Sequence, residues 1–246
     1  MLSWEEIIAR VGDRVRPESR SKYFPNNPLR RALIDRFFAA VAEELRQGIS
    51  QARVISDMRA ASVARSVLAT EAARTSEVIA TEAAPTRLLD LGCGEGFVDL
   101  FLSERVPGLA ITGVEPDEQA LSVAAALNPG AVYLAGDGRK LPFPDNSFDA
   151  LVCLEVMEHL SDYPALIREA ARVTSGPCVF SVPAWPFYQG ANFLAGHNWS
   201  RFGEHAGHVV SFTRTKLRRD LAAVFREPRL GFSFPWLIAR CNGKII

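Results

Sequence analysis

The chain predicts an α/β protein: a doubly wound, mostly parallel seven-stranded sheet preceded by a helical extension at the amino end. Three observations carry this. Short apolar runs alternate with helical patterns from Pro85 onward, the first run opens into a glycine-rich loop, and successive runs end in carboxylates. Strand, helix, strand at such spacing is the mark of right-handed crossover units around a parallel sheet. The expected strands are "TRLLDL" (86–91), "AITGVE" (110–115), "AVYLAG" (131–136), "FDALVCL" (148–154) and "PCVFSVP" (177–183). Helices are expected after Gly96, over 117–127, over 162–174 and over 213–225, and "LGFSFPWLIARC" supplies one or two closing strands.

Upstream of this domain, residues 1–48 form a helical cap. "NPLRRALIDRFFAAVAEELRQG" sets Leu33, Phe37, Val41 and Leu45 four apart on one face, and Gly48 offers a stop. Residues 49–84 are rich in Ala, Ser, Thr, Glu and Arg and lack both aromatics and prolines. "VLATEAARTSE" from residue 67 is answered by "VIATEAA" from residue 78, so Val67 and Leu68 share a helical face with Val78 and Ile79. Two readings stay open: a helix for a partner or a second copy of the chain, or an amphipathic, partly frayed spacer. Residues 85–246 form the sheet domain, with a lid at about 184–212.

Lys plus Arg equal Asp plus Glu at 28 each, and this balance gives no electrostatic case for DNA, RNA or an anionic membrane. Cys93, Cys153, Cys178 and Cys241 form no paired spacing, which predicts neither a zinc site nor a disulfide framework and makes a reduced, cytoplasmic compartment the default. "MLSWEEIIAR" lacks a signal-peptide pattern, and no apolar run reaches the length of a membrane span.

In a doubly wound sheet, ligands bind at the carboxyl ends of the strands. There the sequence puts Asp90 before Gly92, Gly94 and Gly96, then Glu115 with Pro116 and Asp117, then Gly136-Asp137-Gly138, then Leu154-Glu155. The glycine spacing is G-x-G-x-G, one residue short of the dinucleotide fingerprint, and no Lys-Ser or Lys-Thr follows as in a phosphate loop. A carboxylate ahead of the glycines repels phosphate and attracts an ammonium or sulfonium. Glu115 can accept two hydrogen bonds from a ribose diol, and Asp137 can accept one from an exocyclic amine. A cationic amino-acid end, a ribose and an adenine without phosphates describe S-adenosylmethionine.

"LLDLGCGEG", "GVEPDEQAL" and "GDGRKLPFPDNSFDALVCLEVMEHL" resemble the class I S-adenosylmethionine-dependent methyltransferases of the type 11 group, in the small-molecule branch that includes ubiquinone-biosynthesis enzymes. The resemblance spans about residues 85–183 and implies a Rossmann-like methyltransferase fold. It further implies that Asp90, Gly92 and Gly94 line the methionine part, Glu115 holds the ribose, Pro116 flanks the adenine, Asp137 bonds its amine and Leu154 closes over the cofactor. "NPLRRALI" is similar to an amino-terminal stretch whose arginine touches the cofactor carboxylate, which implies Arg30. The Ala-rich zone between that stretch and the first strand is a departure from the pattern.

The acceptor side is expected in "AWPFYQGANFLAGHNWSRFGEHAGHVVSFT", where Trp185, Tyr188 and Trp199 suit a wall around a small substrate. "GEHAGHV" resembles an element of the same branch and points to His205 and His208 as bases for a hydroxyl acceptor, with His159 of "EVMEHL" and His197 behind them. A structural part for each histidine stays open. Glu204, His205 and His208 match no common zinc spacing, so no metal is expected. The activity this predicts is methyl transfer to a small molecule, with an oxygen nucleophile favoured. The alternatives are a cofactor-binding scaffold or regulator without transfer and, disfavoured by the early third glycine, a nicotinamide-dependent reductase.

Overall fold

The computed structural model describes residues 4–11, 14–16, 28–68, 84–194 and 207–245. Helix α1 (Trp4–Val11) and the long α2 (Pro28–Leu68) precede the sheet domain. There β1 (Thr86–Leu91), α3 (Phe97–Arg105), β2 (Leu109–Glu115), α4 (Glu118–Leu127) and β3 (Val132–Ala135) build one half. The other half comprises β4 (Ala150–Leu154), α5 (Tyr163–Val173), β5 (Cys178–Pro183), α6 (Phe187–Leu194), α7 (Arg214–Ala222), β6 (Arg229–Ser233) and β7 (Trp236–Cys241). All five expected strands are present within two residues of their expected bounds. The carboxyl tail supplies two more.

The sheet is seven-stranded in the order β3-β2-β1-β4-β5-β7-β6. Strands β1 to β5 run parallel, while β7 lies antiparallel between β5 and β6. Because β4 and β5 are buried at every position and β1 at all but Arg87, these strands read as continuous apolar runs rather than alternating ones. One face packs α5 and α7 through Leu166, Ile167, Ala170, Leu217 and Leu221. The opposite face packs α2 and α3 through Phe37, Phe38, Val41, Leu45, Phe101 and Leu102. Helix α1 lies on α3 and α4, with Ile7 and Val11 against Phe97, Leu100, Val123 and Leu127. No helix among the described residues is long and apolar enough to cross a membrane.

Helix α2 differs from expectation at Gly48, which does not stop it; the helix runs on to Leu68. The glycine serves close approach instead. A Cβ there would lie 2.5 Å from Pro177 Cβ and 3.3 Å from Arg240 Cδ, so the bare backbone lets α2 settle against the start of β5. Beside it the buried Arg240 guanidinium donates to Gln47 Oε1 at 3.0 Å and lies 3.3 Å from Glu44 Oε2, tying β7 to α2. Beyond that clamp Val54, Ile55 and Met58 are exposed. The cap and the Ala-rich zone therefore share one helix. Val67 and Leu68 end it, and residues 69–83, which hold the rest of the first repeat copy and all but the last residue of the second (78–84), lie outside the described residues.

The direction of α2 bears on the ligand edge. Phe37 packs on Trp236 with ring centroids 4.8 Å apart, and Trp236 pairs with Pro183 at the carboxyl end of β5. Gln47 lies instead beside Arg240, toward the other edge. The amino end of α2 therefore points to the carboxyl edge of the parallel strands, and the residues inserted after Gly48 leave from the opposite edge.

Replacing Gly48 by Ala tests this packing. Alanine in an exposed helix interior gains about 1 kcal/mol over glycine. At position 48 the clash reverses the sign, and we expect a net loss of about 1–3 kcal/mol by urea denaturation, the cost typical of overpacking.

Candidate active site

Strands β1 and β4 are parallel neighbours, and the chain leaves them toward opposite sides of the sheet, to β2 and to β5. A crevice opens above their carboxyl ends. On one side of it lies the loop Gly92–Gly96, in which all three glycines have positive φ, at 85°, 53° and 74°. They are not equivalent. A Cβ on Gly92 would meet Val156 Cγ2 at 2.3 Å, whereas a Cβ on Gly94 would meet nothing within 4 Å. Gly92 thus makes room for the turn after β4. Gly94 presents bare backbone to open space.

Glu115 closes β2 and braces this loop. Its Oε2 accepts from Gly94 N and its Oε1 from Asp117 N, both at 3.3 Å. Asp117 in turn caps α4 by accepting from Gln119 N at 2.8 Å and Ala120 N at 3.2 Å. From the amino-terminal segment, Arg16 joins the same rim: its backbone N–H donates to Glu95 Oε1 at 2.8 Å, and its guanidinium pairs with Asp117. Asp137, after β3, is exposed and held by Arg139, which donates through Nε, a terminal nitrogen and its backbone N–H. These bonds keep the Asp137 carboxyl below the usual carboxylate range.

Beneath the loop, Asp90 is 1% exposed and Asp99, from the first turn of α3, 0%. Tyr133 of β3 donates its hydroxyl to Asp99 Oδ2 at 2.7 Å. Burial, first, and the Asp99 carboxyl, second, push Asp90 well above the usual range. Burial raises Asp99 to about 6, against the Tyr133 hydrogen bond that lowers it.

Across the crevice, β4 ends at the buried Leu154, and Glu155 adopts φ 59°, a left-handed conformation uncommon outside glycine. Ser181 of β5 steadies it by donating to Glu155 Oε1 at 2.9 Å. A short 3-10 turn, Met157–His159, follows. The segment entering α7 is fastened to it, because Val209 N and Val210 N donate to Glu158 O at 2.8 and 3.1 Å. His159 Nδ1 lies 2.9 Å from Gly207 O. A carbonyl only accepts, so Nδ1 carries the proton and Nε2 is the basic nitrogen of the neutral ring. The His208 ring stands 5.0 Å from that of His159 and 5.6 Å from that of Tyr188. Ligand atoms of Glu158, His159 and His208 lie within 4.8 Å of one another, a spacing a divalent cation could bridge.

Residues 89–179, which hold most of this crevice, match the family described as "Methyltransferase domain". The crevice thus lies in a segment similar to a methyltransferase domain. The chain is 35% identical over 92 residues to the demethylmenaquinone methyltransferase of Thermotoga maritima, covering 37% of this chain and 40% of that one. It is 32% identical over 144 residues to the malonyl-[acyl-carrier protein] O-methyltransferase of Serratia marcescens, covering 57% and 53%. The chain thus spans about half the length or less of the curated relatives it matches. A solved S-adenosylmethionine-dependent methyltransferase from Thermotoga maritima shares the fold, with a TM-score of 0.51 and 19% identity over 66% of this chain and 84% of that one.

Within the methyltransferase domain the expected cofactor residues converge. Asp90, Gly92, Gly94, Glu115, Pro116, Asp137 and Leu154 all lie at or just past the carboxyl ends of β1 to β4. Arg30 sits on the part of α2 that points to this edge; its side chain is outside the description. On the acceptor side His159, His208 and Tyr188 come together, while Trp185 is about half exposed. His197, Trp199, Glu204 and His205 lie outside the described residues.

Asp99, Tyr133 and Arg16 are the residues that sequence reasoning missed. Asp99 is a polar residue inside the apolar, buried stretch Phe97–Leu102, and that was the available signal.

Gly92→Ala isolates the structural glycine. The positive φ and the Val156 contact together predict a stability loss of about 2–4 kcal/mol in chemical denaturation. Adding Val156→Ala should restore part of it.

Proposed function

We propose that the protein transfers the methyl group of S-adenosylmethionine to an oxygen nucleophile of a small molecule. The observation that carries the acceptor half is the meeting of His159 and His208 beside Tyr188, where the Gly207 carbonyl leaves His159 Nε2 basic. The cofactor half fits its ligand by three features. Gly94 leaves an open approach to backbone, the loop and strand ends carry carboxylates, and no lysine or arginine stands within the glycine loop. That set suits a cation and a ribose, not a pyrophosphate.

In this reading Glu115 turns its oxygens from their long bonds with Gly94 N and Asp117 N to the ribose hydroxyls. Asp137 shares its carboxylate between Arg139 and the adenine amine, Pro116 and Leu154 flank the adenine side, and Arg30 faces the cofactor carboxylate. When bound, the cofactor supplies an electrophilic methyl carbon on a sulfonium. Tyr188, with Trp185 and Trp199, would wall the acceptor and hold its oxygen toward the methyl donor, and such positioning would supply most of the rate. His208 or His205, with His159 in support, would take the proton of the acceptor hydroxyl on a ring nitrogen. The buried cysteines, all free thiols, agree with a cytoplasmic setting.

The exposed Val54, Ile55 and Met58 on α2 favour a second reading, in which the chain binds cofactor and offers residues 49–84 to a partner or a second copy without transferring methyl groups. Turnover separates the two. With labelled cofactor and a panel of hydroxylated small molecules, Glu115→Ala should weaken cofactor binding roughly ten-fold or more, the worth of a charge-assisted hydrogen bond. His208→Ala should leave binding intact and slow transfer by about 10²–10⁴. Full turnover in both His208→Ala and His159→Ala would remove the histidine base, and binding with no turnover on any acceptor would favour the scaffold.

A further inference from the structure

Asp90, Gly113 and Tyr133 occupy one row across β1, β2 and β3, so their side-chain positions share a face of the sheet. Gly113 is the gap in that row. A Cβ on it would lie 2.6 Å from two atoms of the Tyr133 ring and 2.7 Å from Cys93 Sγ, so the ring rests directly over the glycine. From there the phenol reaches Asp99 Oδ2, 2.7 Å away on α3. Each buried carboxyl is left with one oxygen that no donor satisfies, Oδ2 of Asp90 and Oδ1 of Asp99. A buried acceptor without a donor is costly, and two adjacent buried carboxylates cannot both keep their charge. One proton between the two oxygens satisfies both at once.

We propose that Asp99 and Tyr133 are positioning residues for the cofactor: they hold one proton on Asp90 beneath the empty glycine loop, and binding of the cofactor's cationic amino-acid end releases it. The coupling rests on the cofactor reading above; the shared proton does not. The Tyr133 hydroxyl donates to Asp99 and favours its ionised form, which leaves the proton on Asp90. The other titratable groups facing the pair are Glu115 from β2, Cys93 from the loop and Cys153 from β4. Among the described residues, no Lys, Arg or His acts on the pair. A ligand ammonium would be the first positive charge to reach this cluster, and it must lower the pair's hold on its proton. Free protein therefore binds the proton more tightly than bound protein, so affinity rises with pH through the range in which the free pair keeps its proton and the bound pair has lost it, and levels off once the free pair has lost its proton as well.

Two measurements test this on the full chain. Carbon-13 NMR of labelled aspartate carboxyls in the free protein should show one carboxyl protonated well above the ordinary range. Asp99→Asn should return it toward that range, because the amide donates to Asp90. Isothermal calorimetry with S-adenosylhomocysteine, in two buffers of different protonation enthalpy near pH 6.5, should show release of up to about one proton per ligand. Asp99→Asn should bind within a few-fold of the parent and release none. Tyr133→Phe, which removes only the donor to Asp99, should move the release to higher pH. Methylthioadenosine, which lacks the ammonium, should bind without release. Ordinary titration of every aspartate in the free protein, or equal proton release from Asp99→Asn and the parent, overturns the proposal. A retained carboxyl proton with no binding of S-adenosylhomocysteine overturns the coupling and the cofactor reading while the paired carboxyls stand.

Discussion

The parallel pairing of β1 with β4 is the constraint from which the rest of the structure follows. The strand order runs outward in both directions from this pair, so the crossover helices fall on opposite sides and cannot cover the crevice above Leu91 and Leu154. The glycine loop and the carboxylates at its rim are therefore carried on strand ends and the turns that follow them. The buried apolar faces of β1, β4 and β5 hold these ends rigid against helices on both sides, and the turns inherit that rigidity. Gly92 shows how tightly the two halves are joined: the loop after β1 exists in its present form only because Val156, after β4, fits where a side chain would have been.

Electrostatics in this crevice is one-sided. Asp90, Asp99 and Glu115 gather around a loop whose rim carries the Arg16 guanidinium, and that guanidinium is engaged by Glu95 and Asp117. Such a site is poorly suited to phosphate, and the same acidity is what makes it receptive to a sulfonium-bearing amino acid. The cost falls on the empty protein, which must bury carboxyl groups without a counter-charge, and a bound proton is the least disruptive way to meet it.

Local signals made most of this legible in advance. Strands and their polar terminal residues are contiguous in sequence, so Asp90, Glu115 and Asp137 could be assigned to one edge before any contact was known. What escaped depends on register and on distance along the chain. Asp99 and Tyr133 meet only because Gly113 leaves a gap between two strands, and nothing in "FVDLF" or "AVYLAG" states that alignment. Arg16 reaches Asp117 from across the chain in the same way. Gly48 misled for the opposite reason, since its local meaning as a helix stop was overruled by the close approach of Pro177.

The two sides of the crevice are built differently, and that difference bears on how acceptor choice can vary. The cofactor side is made of short turns between strands of the rigid sheet, where a change in one residue meets backbone or a buried neighbour at once. The opposite side ties the segment before α7 to the turn after β4 through backbone bonds from Val209 and Val210 to Glu158 O. Those bonds do not depend on which side chains the segment carries. Tyr188 and His208 can thus be exchanged for other residues without disturbing the loop at Gly94.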